Sequence, residues 1–232
     1  MKLGIMQPYL LPYIGYFQLI NMVDKFIIFD DVNYIKKGWI NRNNILINNK
    51  KFLFTLPLEK PSQNKFIKDT KIFNSNSTKQ KLIEDIFHAY RKAPQFESVY
   101  PIIKSSLLID EDNLSEYNIH SIKTVCNYLG IETEIVKSSY LNNNKELKSE
   151  NKIIDICKLL NADMYINPIG GMGLYSRVKF EQNSIKLHFI KTNEIKYRQF
   201  NENNIENLSI IDVLMFNRKE KVKKMLDDYI LI

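Results

Sequence analysis

Three short stretches of this chain concentrate side chains able to bind a ligand or act on it. The first, "QPYLLPYIGY", runs from Gln7 to Tyr16 and leaves a short apolar run. Its prolines limit the backbone, because the ring fixes φ. Tyr9, Tyr13 and Tyr16 present flat faces with a hydroxyl tip, suited to a base, a sugar ring or an acyl chain. Gln7 can both donate and accept hydrogen bonds, and Gly15 completes the turn. The competing reading is that these rings only pack a helix onto a sheet.

The second stretch, "FIIFDDVNYIKKGWINR", spans residues 26–42. Asp30 and Asp31 close an apolar run. Neighbouring strand residues point to opposite faces, so one of the two is expected to enter a cleft. There it would bind an amino group, hold a ribose or serve as a base; otherwise the pair caps the following turn. Lys36, Lys37, Trp39, Asn41 and Arg42 follow. Basic groups beside an indole suit a nucleotide diphosphate, with Arg able to grip phosphate through two parallel bonds. The alternative is a core tryptophan flanked by solvated lysines.

The third stretch, "NPIGGMGLYSR", holds Gly170, Gly171 and Gly173 and then Tyr175 and Arg177. Closely spaced glycines let backbone N–H groups approach an anion, although the pattern is neither GxGxxG nor a P-loop. His88, in "FHAYRKAPQF", is a candidate base on a helix closing over the cleft, or else a structural helix histidine. No GxSxG elbow, HExxH or metal-spaced His/Cys cluster occurs, so no metal set is assigned.

The elements that must carry these stretches follow from periodicity. Leu3–Met6 reads as a buried strand and 16–23 as a short helix. The continuous apolar run at 25–31 reads as a strand covered on both faces, parallel to the first. Residues 41–59 read as a hairpin turning at "NNKK", and 59–76 as an exposed excursion. Helices are expected over 77–93, with Ser77 as cap and Pro94 as stop, over 96–108, and over 114–129, closed by Gly130. Strands at 132–139, 164–168 and 185–191 then alternate with helices at 145–161 and 177–183. Helices at 209–217 and 218–230 end the chain. This alternation predicts an α/β fold: a mostly parallel, Rossmann-like sheet flanked by helices, with a hairpin and a helical cap or insertion at about 77–129, in one domain over 1–232. In such sheets ligands sit beyond the carboxyl ends of the strands, which is where all three stretches leave them.

Composition sets the outer bounds. The 232 residues are 44% hydrophobic and 12% aromatic, ample for a packed core. No apolar run nears the length of about 20 residues that spans a bilayer, and no signal-peptide pattern opens the chain. A cytoplasmic protein without membrane insertion is expected. Cys126 and Cys157 have no CxxC partner and read as reduced core thiols. The formal charge of +7 favours anionic partners such as nucleotides, nucleotide-sugars or RNA. Abundant Lys, Asn and Ile account for it equally well, and only "NRKEKVKK", 217–224, is dense.

The motifs "QPYLLPYIGYFQLI", "FDDVNYIKKGWINRN", "YRKAPQF", "LGI", "NADMYINPIGGMGLY" and "LSIIDVLMFN" follow the order and spacing of the WbqC-like protein family, which the chain resembles from about residue 3 to 217. One departure is Asn167-Pro168, where that family often has Ser-Gly. The resemblance implies a place in bacterial surface-polysaccharide synthesis, O-antigen above all. It implies amide-forming acyl or aminoacyl (for instance glycyl) transfer to an amino sugar carried on a nucleotide. Aminoacyl-tRNA, a thioester or ATP-activated amino acid would each serve as acyl donor. The opening also resembles, more faintly, nucleotidylyltransferase-like proteins, whose HxGH histidines are here Tyr13 and Tyr16 around Gly15. An ATP-dependent ligase or nucleotidylyltransferase is thus one alternative. A non-catalytic binding protein for a polysaccharide precursor is another.

Overall fold

The computed structural model describes residues 1–201 and 204–232. Its central sheet holds β1 (Lys2–Met6), β2 (Lys25–Ile28), β5 (Glu134–Lys137), β6 (Met164–Pro168), β7 (Lys186–Thr192) and β8 (Tyr229–Leu231). The strand order is β5-β2-β1-β6-β7-β8. All neighbours are parallel except β7 and β8. A separate antiparallel hairpin pairs β3 (Arg42–Ile47) with β4 (Lys50–Thr55), and Asn48 and Asn49 make its two-residue turn with φ of 50° and 57°. Both turn residues need positive φ, which asparagine tolerates better than most side chains.

The sheet is covered on both faces, as its continuous apolar strands require. Leu3, Ile5 and Ile27 pack with Ile153, Ile156 and Phe180, from α5 (Ser149–Leu159) and α6 (Arg177–Glu181), on one face. Phe26, Ile28 and Ile166 pack on the other, against a larger body. That body contains α1 (Ile14–Met22), α2 (Ser75–Tyr90), α3 (Phe96–Leu107), α4 (Leu114–Leu129), α7 (Ile210–Phe216), α8 (Lys219–Met225) and the hairpin. Gly4 lets α1 sit close to the sheet: a Cβ there would lie 3.1 Å from Phe26 and 3.3 Å from Leu19. Helix α4 shows how local sequence fixes an element. Asn113 accepts from the Ser115 and Glu116 N–H groups at its start, and Gly130 ends it at φ 73°.

β1 and β2 are parallel neighbours, as their apolar runs predict. Three expectations need correction. The 59–76 segment is not simply exposed: Ile67, Thr70 and Ile72 are buried, and Ile67–Asp69 forms a 3-10 turn. Helix α2 begins at Ser75 rather than at a Ser77 cap, after Asn74 in a left-handed conformation. The last helix stops at Met225, and Tyr229–Leu231 turns back as an edge strand on β7. Two aspartates, Asp227 and Asp228, break the apolar periodicity there. Among the described residues no helix is long and apolar enough to cross a membrane.

Candidate functional site

The strand order reverses between β1 and β6, so the chain leaves the central pair in opposite directions, which opens a crevice at their carboxyl ends. The loop after β1 is tied down by donors from distant parts of the chain. Asn43 Nδ2 donates to the carbonyls of Leu10 and Leu11, at 3.0 and 2.7 Å. Asn118 Nδ2 donates to Pro8 and Ile40, Ser209 Oγ to Leu11, and the Ile210 N–H to Pro12. Leu11 itself has φ 42°. Proline stiffness and these long-range donors pre-form the loop.

The four polar groups of that loop then divide. Tyr16 is 1% exposed, and its hydroxyl donates to the Gln7 carbonyl at 2.9 Å. It is a core residue, and Gln7 is half-buried beside it. Tyr9 and Tyr13 instead line a slot of about 260 Å³, together with Pro12, Trp39, Asn43 and Asn207. Tyr13 and Asn207 also border a second hollow of about 430 Å³, which continues over Thr192, Asn193, Glu194, Tyr197 and Glu206. Gly15 is required where the two meet. A Cβ on it would fall 2.4 Å from the Tyr13 ring and 2.5 Å from Thr192 Oγ1.

The slot is aromatic on two sides. Trp39 is exposed and the Arg42 guanidinium lies 5.8 Å from its ring. Arg42 Nε donates to the Gly38 carbonyl at 2.9 Å, and a second guanidinium nitrogen binds the Lys37 carbonyl. Lys36 is exposed beside them. Asn41 turns inward, accepting from Tyr34 at 2.8 Å and donating to the Leu56 carbonyl at 2.7 Å, so it shapes the loop rather than facing the slot. Burial raises the Tyr9 hydroxyl pKa, and neighbouring Tyr13 and Tyr175 raise it further. No residue of the third sequence stretch, 167–177, lines either hollow.

Asp30 and Asp31 leave β2 at the same edge, but neither lines either hollow. Both are buried, at 1% and 6% exposure, although strand alternation predicts one of them in a cleft. The cause is the 3-10 turn Ser138–Tyr140 after β5. Asp30 accepts from the Ser139 N–H at 2.9 Å, Ser139 Oγ at 2.7 Å and Ser138 Oγ at 3.1 Å. Asp31 accepts from Ser138 and forms ion pairs with Lys145 and Lys152, both at 3.1 Å. Burial works to raise the Asp31 carboxyl, but Ser138, Lys152 and Lys145 together bring it below its ordinary value. His88 stands exposed on α2 near the Asn48–Asn49 turn and Phe200, sharing no cavity with the aspartates.

The glycine segment folds as a 3-10 turn, Ile169–Leu174, after β6. Among the described residues only Gly130 is a glycine with positive φ, so this segment lacks the alternating backbone of an anion nest. Gly171 is fixed by packing, since a Cβ would lie 2.0 Å from Asn167 Nδ2, whereas Gly170 and Gly173 face open space. Tyr175 packs edge-on to Tyr165, and the Arg177 guanidinium lies 5.7 Å from the Phe189 ring.

Sequence reading missed the far wall of the larger hollow. Asp212 on α7 is 0% exposed, and its hydrogen-bond donors among the described residues are neutral. Tyr197 Oη donates to it at 2.6 Å, Gln199 Nε2 at 2.8 Å and Tyr90 Oη at 2.9 Å. Burial raises its carboxyl pKa, only partly offset by the Tyr197, Gln199 and Tyr90 bonds. Its signal was an aspartate inside the apolar run "LSIIDVLMFN". Cys126 and Cys157 are free and buried, and burial pushes both thiols up to about 12.

A model of the WbqC-like protein family matches residues 7–224. The uncharacterized protein Rv1507c of Mycobacterium tuberculosis (strain ATCC 25618 / H37Rv) is 28% identical over 219 residues, covering 93% of both chains. No solved structure matches.

Proposed function

The chain belongs to the WbqC-like protein family, and from that premise we propose that it transfers an acyl or aminoacyl group to the amino group of a nucleotide-linked amino sugar. The observation that carries this reading is the pair of hollows that meet at Tyr13 and Asn207. The slot offers Tyr9, Tyr13 and Trp39 to a flat ring, with asparagine amides at its edge. Arg42 lies beside Trp39 of the slot, and in this reading it and exposed Lys36 supply the positive charge that a diphosphate needs. The larger hollow offers carboxylates and hydroxyls to an amine. In the reaction the amine nitrogen attacks the acyl carbonyl. The C–N bond forms, the C–O or C–S bond to the carrier breaks, and the amine proton passes to the departing oxygen or sulfur. A nucleotide-linked substrate would place this work in the cytoplasm, within surface-polysaccharide synthesis.

The roles sketched for Asp30 and Asp31 shift under this reading. With their oxygens held by Ser138, Ser139, Lys145 and Lys152, they hold the β2 and β5 ends together. The ATP-dependent alternative loses support from Tyr16, which occupies a histidine position of the HxGH element yet is sealed in the core. The non-catalytic alternative is separated by turnover. UDP-glucosamine is incubated with the protein and, in turn, glycyl-tRNA, a glycyl thioester, or glycine with ATP. Mass spectrometry of the sugar should show the addition of one aminoacyl residue with one donor. Binding of the sugar without any such product across all donors would leave a binding protein instead.

A further inference from the structure

Hydrogen-bond polarity around the larger hollow is set from behind its walls. Gln18 Nε2 donates to the carbonyls of Met225 and Asp228, at 2.8 and 3.0 Å. Its Oε1 must therefore accept, and Thr192 Oγ1 donates to it at 2.7 Å. The threonine proton points inward. Its oxygen keeps two acceptor positions, and Thr192 lines the hollow. Asp212 can only accept when ionised, so the Tyr197 proton also points inward and its oxygen keeps its lone pairs. Asn193 Nδ2 donates to Asp228 Oδ1 at 2.8 Å, leaving its own Oδ1 as acceptor. Glu206 and Glu194 add carboxylates, the latter shared with exposed Lys196 at 2.9 Å. Lys191 is the cation in this lining, and it stands exposed at the rim.

We infer that this hollow is an acceptor-lined seat for a protonated primary amine, with Thr192 and Tyr197 as its binding residues and Gln18 and Asp212 as positioning residues that fix which way their protons point. A hydroxyl in the same place brings one donor and no charge, whereas an ammonium brings three donors. The site therefore discriminates amine from alcohol on a ring of the same shape. This deepens the transferase reading and rests on it for the identity of the ring, the seated ammonium giving one proton to a lining carboxylate, Glu194 or Glu206, before its nitrogen attacks; the polarity argument stands on the wall alone.

The experiment uses two matched pairs of probes on the full chain: UDP-glucosamine against UDP-glucose, and cyclohexylamine against cyclohexanol. Affinities are read by ligand-observed NMR titration at neutral pH. The expected result is at least a tenfold preference for each amine, since hydrogen bonds to a charged group are stronger than those to a neutral one. Thr192→Val should reduce that preference, Thr192→Ser should restore it, and Asp212→Asn should erase it by freeing the Tyr197 proton to turn outward. If Asp212→Asn does not fold, the Thr192 pair carries the test. Binding of both UDP-sugars with no amine preference, or a preference untouched by Thr192→Val, overturns the inference and leaves the transferase reading standing. A preference for cyclohexylamine without binding of either UDP-sugar supports the seat and counts against the transferase reading.

Discussion

Asp31 and Asp212 are both buried carboxylates, yet the protein treats them oppositely. Asp31 sits between two lysines, and its carboxyl is held below its ordinary value despite burial. Asp212 has only neutral donors among the described residues, and burial leaves its carboxyl above its ordinary value. The first region is closed: charge meets charge, and neither hollow reaches it. The second backs onto an open hollow through Tyr197. A compensated charge locks strands together, whereas an uncompensated carboxylate imposes direction on the hydroxyls around it. The β2–β5 side is accordingly the clamp of this sheet edge, and the β1–β7 side is the candidate site.

The largest expected effect breaks the clamp. Asp31→Ala leaves Lys152 buried without its partner, and removing one member of a buried pair costs about 3–5 kcal/mol. Urea denaturation should show that loss with amine preference unchanged in the folded protein. A loss below about 1 kcal/mol would mean the clamp is not one. Acid separates the two carboxylates further. A depressed carboxyl stabilises the fold above its unfolded pKa, and that stability is lost as pH falls through the folded value. A raised carboxyl does the reverse, costing stability as pH rises toward the folded value. Between neutral pH and pH of about 3, just below the reference Asp pKa, the deficit of Asp31→Asn against wild type should shrink. The deficit of Asp212→Asn should grow. Parallel trends in the two variants would contradict the assigned pKa directions.

Gly15→Ala tests the junction of the hollows. Helical Gly→Ala is ordinarily favourable, but here the new methyl meets the Tyr13 ring and Thr192 Oγ1. Overpacking of this kind costs about 1–3 kcal/mol, and probe binding should fall with it. A stabilised variant with normal binding would show that the junction yields freely. Tyr13→Phe is milder: it should leave stability nearly unchanged and weaken UDP-glucosamine by about 0.5–1.5 kcal/mol, the worth of one hydrogen bond. Calorimetric titration reads this directly, and an unchanged affinity would remove the hydroxyl from the site. Lys36→Ala should shift stability least, by about 0.5 kcal/mol, and Arg42→Ala somewhat more because its guanidinium binds the Gly38 and Lys37 carbonyls, while both lower affinity for the diphosphate. Equal affinity in both variants would move the phosphates elsewhere.

The sheet was legible because its signals are local. Continuous apolar runs marked β1 and β2, and helical spacing marked α2 to α4. The first loop was legible too, since proline and tyrosine in a turn need an explanation. The division within it was not. Tyr9 and Tyr16 look alike in sequence, and only the fold decides that one lines a slot while the other is sealed. The aspartates misled for the same reason. Their partners Ser138, Lys145 and Lys152 lie more than 100 residues along the chain. Asp212 was hidden by its apolar neighbours, and its meaning depends on Tyr197, Gln199 and Tyr90, which no spacing rule connects.

The proposed ligand site lies on the β1–β7 side of the edge. Backbone amide chemical-shift mapping during titration with UDP-glucosamine tests it most directly. The largest perturbations are expected at Tyr9, Tyr13 and 192–197, with 138–145 nearly still. Perturbations centred on Asp30, Asp31 and Ser138, with Tyr13 and Thr192 unmoved, would contradict it.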